Sequence, residues 1–178
     1  VFGLPREATY LLGVLDLESY YAMFRKAILG DHSPENVVLL EIDPMRQKTL
    51  CDFILTDRIC GTHTVNIRDV LKQGKKLFYK KESTLIPIHR IYNRAIADEL
   101  IKIGAHLPFS FRDEIEVEWA GHPNWFFRIS KFSLPYLNHT AVPKTIFLDK
   151  LAVIPDDLQN WVLKPLFSKW SRIIWWTC

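Results

Sequence analysis

The chain has 178 residues, 48% of them hydrophobic, and a net charge of +3 from 23 basic and 20 acidic side chains. A chain of this size hides roughly 70% of its unfolded surface on folding, which suffices for one or two small domains with real cores and argues against disorder. The charges are mixed rather than gathered into a stripe, so nucleic acid is not implied. The longest apolar runs are far shorter than the ~20 residues of a spanning helix, and Arg6 and Glu7 lie near the start. Neither a signal peptide nor a membrane segment is expected.

Apolar Leu17, Tyr20, Tyr21, Met23, Phe24, Ala27 and Ile28 recur at helical spacing between Asp16 and Leu29, and Gly30 follows as a stop. "NVVLLEID" is a continuous apolar run closed by Asp43-Pro44, as expected of a strand covered on both faces. "QKTLCDFILTDRICG" reads as a helix and "HTVNI" as a second strand, so the order is strand, helix, strand, the unit of a parallel sheet. "RDVLKQGKK" is expected to be a short helix or turn. The polar stretch Lys80–Thr84 then predicts a hairpin whose arms are "KLFYK" and "LIPIHRIYN". "RAIADELIKIG", from Arg94 to Gly104, has the charge order and the glycine stop of a helix.

Prolines and aromatics cluster and periodicity is lost at "AHLPFSFRD", which places a domain boundary after residue 105. Beyond it "NWFFRISKFSLPYL" reads as helical up to Leu134 and "VPKTIFLD" as extended. "PDDLQNWVLKP" reads as a short helix running into a strand "WVLK".

Cys51, Cys60 and Cys178 are odd in number and lack metal-ligand spacing, the pattern of reduced thiols in a cytoplasmic protein. Asn138-His139-Thr140 fits a glycosylation sequon, but that compartment argues against its use. No G-x-G-x-x-G or G-x-x-x-x-G-K occurs, so neither a dinucleotide fingerprint nor a P-loop is present. His122 has no second His or Cys at metal-ligand spacing, which makes zinc improbable. Asp43 sits where an open α/β sheet receives ligands, although an Asp before Pro also suits a simple turn.

The chemistry rests on an ordered set: His122-Pro123-Asn124, Ile129-Ser130-Lys131, Val142-Pro143-Lys144-Thr145 and Val162-Leu163-Lys164-Pro165-Leu166. A lone lysine on a helix, or a lone Lys-Pro, is usually surface. Together and in this order they resemble the entry into an ATP-grasp domain, in the manner of glutathione synthetase and glutathionylspermidine synthase-like carboxylate-amine ligases. The resemblance implies an α/β fold in which a small, open Rossmann-like domain precedes the first elements of an ATP-grasp domain. It implies ATP and Mg²⁺ as cofactors of the full-length parent, with the metal ligands absent from this chain, and small-molecule carboxylate and amine or thiol substrates. Lys131 and Lys164 match the two lysines that contact ATP phosphates, a task suited to a compact ammonium on a flexible stem. "IHRIYNRAIADEL" is similar to a family segment near the substrate cleft, which makes Arg90, Tyr92 and Arg94, with Asn124, candidate substrate-binding residues.

After Phe167-Ser168 the family pattern calls for a glycine-rich loop, and the sequence instead reads "KWSRIIWWTC". Three readings stand for this tail: an amphipathic anchor, a divergent ending packed on a core, or an interrupted reading frame. Tryptophan has one codon, so Trp175-Trp176 reads as Gly-Gly in one shifted frame. The expectation is therefore a truncated ligase with an aberrant tail over 169–178, inactive alone, and with a start that is also in question because the chain begins on Val1. The contrasting expectation is a non-catalytic α/β binding or scaffold domain whose lysines are surface residues.

Overall fold

A computed structural model describes Leu11, residues 15–104 and residues 106–166. The expectations for Phe167, Ser168 and the tail lie outside the described residues. The chain divides into two compact units, Val1–Pro123 and Asn124–Cys178.

In the first unit, helix α1 spans Leu17–Leu29, and Asp16 caps it by accepting from the Ser19 N–H at 2.8 Å. Gly30, at φ 61°, closes the other end. Strand β1 (Val37–Glu41) is buried at every position, as its unbroken apolar run predicts. Helix α2 (Leu50–Cys60) stops at Gly61, and β2 (His63–Asn66) returns parallel to β1. Asp57 locks this corner, since its carboxylate accepts from the Thr62 hydroxyl at 2.8 Å and from both the N–H and the hydroxyl of Thr64. The strand–helix–strand expectation holds.

The next segment differs from expectation. "RDVLKQGKK" contributes a 3-10 turn at Ile67–Asp69 and a strand, β3 (Leu71–Gln73), because Leu71 finds Phe78 as its cross-strand partner. With β4 (Lys76–Lys81) and β5 (Thr84–Ile88) it forms a three-stranded antiparallel meander. The expected second arm of the hairpin is two strands. β5 ends at Ile88, the His89 N–H donates to Asn36 O at 2.8 Å, and β6 (Arg90–Asn93) joins β1 in parallel. Helix α3 covers only Ala97–Lys102, because the N–H groups of Arg94 and Ala95 both donate to Leu40 O, which holds that stretch against β1.

The first unit also extends past residue 105. Phe109 is buried, and Leu107, Phe111, Ile115, Val117 and Trp119 pack on the main core. Strand β7 (Glu118–Trp119) then adds to β6 in parallel. The loss of periodicity at "AHLPFSFRD" therefore marks an irregular wrap over the first core, and the division falls after Pro123.

The resulting sheet has the order β2-β1-β6-β7 with every neighbour parallel. Alternation along β1 sends its side chains to opposite layers. Val38, Leu40 and Ile42 join Leu77, Tyr79, Ile88, Ile91, Leu100 and Phe109, so the meander, α3 and the wrap cover one face. Val37 joins Ile28 and Cys60, so α1 and α2 cover the other. The fold is thus mixed α/β with one parallel and one antiparallel sheet.

The second unit has little regular structure. Helix α4 (Trp125–Arg128) ends at Ile129, and a 3-10 helix at Lys131–Tyr136, capped by Ser130 and Ser133, takes over from the expected α-helix. "VPKTIFL" and "WVLK" carry no strand pairing, and the expected short helix is a 3-10 turn at Leu158–Asn160. Among the described residues of this unit no side chain is buried, and Ile129 and Val153 are 75% and 78% exposed. Among all described residues, no helix is long and apolar enough to cross a membrane.

Candidate functional site

From β1 the chain leaves through α2 to β2 on one side, whereas β6, on the other side of β1, leads on to β7. The strand order therefore reverses between β1 and β6, and open α/β sheets bind ligands outside the carboxyl ends of the strands at such a point. Asp43 follows β1 there. It adopts φ 43°, ψ 57°, although a residue before proline is normally driven to extended backbone. Neighbours impose this conformation: its N–H donates to Asn66 Oδ1 at 3.4 Å, Asn66 Nδ2 donates to its Oδ1 at 3.3 Å, and Arg68 Nη1 donates to both carboxylate oxygens at 3.1 Å. Such strain persists only where the surroundings over-determine it. Beside it opens a cleft of about 270 Å³, with Ile42, Asp43, Arg46 and Gln47 on one wall and Glu99, Lys102 and Ile103 on the other. Gln47 fixes the first wall by donating to Ile42 O at 2.8 Å.

Arg94 follows β6 at the same edge. Its Nη1 donates to the Tyr92 hydroxyl at 3.4 Å, and its Cζ lies 5.7 Å from the Phe53 ring centre and 6.0 Å from that of Tyr92. A guanidinium stacked in this way is half-desolvated and pre-oriented. It makes no ion pair with another described residue. Neighbouring Glu41 is 1% exposed, and its Oε1 accepts from the Ile42 N–H at 2.8 Å. The buried Asn93 Oδ1 has no partner among the described residues, although Asn93 Nδ2 donates to Ala95 O.

Arg90 parts company with Tyr92 and Arg94. It lies at the opposite end of β6, where Nε donates to Ile28 O at 2.9 Å, Nη2 to Ala27 O at 3.2 Å and Nη1 to Glu118 Oε2 at 2.6 Å. Its fork closes the end of α1, so the substrate role expected for it is not supported by its surroundings. His32 Nε2 also reaches Glu118 Oε2, at 3.1 Å, and the hydrogen bonds from His32 and Arg90 hold that carboxyl below the usual range. A larger groove, of about 470 Å³, crosses β4 and β5 near His89 and Glu116, away from the switch point.

The remaining candidates lie at or beyond the division. His122 lies one residue before the end of the first unit, with its ring edge-on to Trp119 at 5.4 Å. Asn124 precedes α4 as its cap without a side-chain capping bond. Lys131 is half-buried at the start of its 3-10 helix, and Lys164 is exposed on an unpaired extended stretch. Among the described residues no group of three His, Cys, Asp or Glu side chains is placed to hold a metal ion. Arg46, Lys102 and Phe53 were not singled out in the sequence. The Asp43-Pro44 strand end was the available signal for Arg46, whereas Lys102 and Phe53 needed the strand order. Comparison with protein-family models and with curated proteins returns no match.

Proposed function

We propose that this chain is part of an ATP-dependent ligase of the ATP-grasp kind that joins a small carboxylate to an amine or thiol. The observation carrying this reading is Arg94, a half-buried guanidinium at the switch point, stacked on Phe53 and Tyr92 and free of ion pairs among the described residues. It suits the carboxylate of a substrate, which its fork can accept in two parallel hydrogen bonds. The ordered lysines Lys131 and Lys164 supply the phosphate-binding charge. In the reaction the substrate carboxylate attacks the γ-phosphorus of ATP and ADP departs. The amine or thiol then attacks the acyl carbon, phosphate leaves, and the nucleophile loses its proton. In this scheme Arg94 orients the carboxylate and the lysines neutralise phosphate charge. No step is assigned to a metal.

Binding is the decisive readout. Mg-ATP titrated into the full chain is expected to shift the side-chain resonances of Lys131 and Lys164 saturably, and Lys131→Ala or Lys164→Ala should weaken the affinity at least tenfold. Undiminished binding in the double variant, or no binding at millimolar Mg-ATP, would sink the proposal. A second reading, a non-catalytic α/β binding domain, is favoured by the exposed, unpaired setting of Lys164. It predicts small-molecule binding at the first unit with no response to ATP.

A further inference from the structure

We infer that the cleft between the end of β1 and α3 is a binding site for a small polyanion, either a dicarboxylate or a phosphate group, held between Arg46 and Lys102. The inference stands whether or not the chain handles ATP, because it rests on the first unit alone. The cleft lies at the switch point, where the walls of a doubly wound sheet converge, and its volume of about 270 Å³ suits a metabolite rather than a polymer.

The charge count decides the ligand class. Among the described residues four charged side chains line the cleft: Asp43, Arg46, Glu99 and Lys102. Asp43 is already neutralised by Arg68, which donates to both its oxygens at 3.1 Å, and Asn66 holds it further. Glu99 also has a partner. The side chains of Arg46 and Lys102 make no ion pair or hydrogen bond with a described residue, so two cations face the cleft without a described side-chain partner. One is a planar fork and the other a compact ammonium on a flexible stem, a pair that can clasp an anion from two sides.

The wall that carries Arg46 is braced. Asp43 is locked in its left-handed conformation by two partners, Asn66 and Arg68, and Gln47 donates to Ile42 O, so the turn from Pro44 to Arg46 starts and ends at fixed points. Ile42 and Ile103 add apolar surface to the two walls.

Succinate and inorganic phosphate, titrated separately into the full chain at low salt and followed by amide NMR, test this. At least one is expected to shift the resonances of residues 42–47 and 99–103 saturably with a millimolar Kd, and succinamide, which has the shape of succinate without its charge, should not. Whichever anion binds more tightly identifies the source. The Arg46→Ala/Lys102→Ala double variant, both side chains being exposed, is expected to keep its fold and lose at least tenfold in affinity. No saturable shift with either anion, equal shifts by succinamide, or unchanged affinity in a folded double variant would each overturn the inference.

Discussion

Replacing Arg90 by alanine separates a structural arginine from a substrate-binding one. The guanidinium donates to Ala27 O and Ile28 O, two of the carbonyls that the end of α1 leaves without helical partners. A hydrogen bond from a charged group contributes about 1.5 kcal/mol net in favourable cases. The two bonds together, with the packing of the stem, make a loss of about 2–3 kcal/mol the expected result of Arg90→Ala. For a unit of this size that lowers Tm by about 6–12 °C. Gly30 supplies an independent check. A Cβ on that glycine would stand 3.2 Å from Arg90 Cζ and Nη1, at a φ of 61° that L-residues avoid. Gly30→Ala should therefore destabilise through both backbone strain and displacement of the guanidinium. In a double-mutant cycle with Arg90→Ala the second contribution disappears, leaving a coupling of about 0.5–1 kcal/mol. Arg90→Lys should fail to rescue, because an ammonium cannot span both carbonyls and Glu118. Thermal and urea unfolding followed by far-UV circular dichroism supply the measurements. An Arg90→Ala variant that melts within about 2 °C of the parent yet loses ligand binding would refute the structural assignment.

Phe53, 1% exposed, fills the layer beneath Arg94, so Phe53→Ala should cost about 3–5 kcal/mol in urea unfolding; a cost under about 1 kcal/mol would mean that the site collapses without it. Acid should weaken the fold through carboxyls that are held low. Asp113 sits below its ordinary 3.8 because Lys72 hydrogen-bonds it, and Glu118 sits below 4.5 through His32 and Arg90. A depressed folded-state pKa gives stability that is present above the unfolded value and lost as pH falls through the folded one. The urea midpoint should thus be insensitive to these groups above about pH 5 and fall below it, and Asp113→Asn should flatten that fall. Thiol labelling offers a third check, since Cys51 is exposed whereas burial pushes the Cys60 thiol up. Iodoacetamide should modify Cys51 in the native state and Cys60 only after unfolding, and comparable rates for the two in a peptide map would contradict the packing of α2.

The elements that could be read from the sequence are those whose causes are local. Helix α1 ends at a glycine, β1 is one apolar run, and α2 and β2 follow with their own stop at Gly61. What could not be read depends on distant partners. The apolar arm after Thr84 looks continuous, and only the contact of His89 with Asn36 and the pairing of Arg90 with Val37 divide it. Leu40 shortens α3 by capturing two N–H groups that the helical pattern had assigned to the first turn. Phe109 and Trp119 follow no simple period because they come from a wrap, not from an element. The same holds for the site. Tyr92 and Arg94 were legible as a pair two residues apart, but Arg90, two residues earlier on the same strand, points its chemistry to the other end of the sheet. The cleft joins Arg46 to Lys102 only through the order of the strands.

The meander has a bearing on how this sheet assembles. The parallel pairing of β1 with β6 joins segments far apart in the chain, and the cost of closing such a loop rises with its length. Strands β3, β4 and β5 pair with immediate neighbours, contacts of the kind that form early. Once folded, the excursion from Ile67 to Ile88 acts as a tether shorter than its residue count. It delivers His89 and β6 to the side of β1 and lays down the Leu77 and Ile88 surface on which that strand comes to rest.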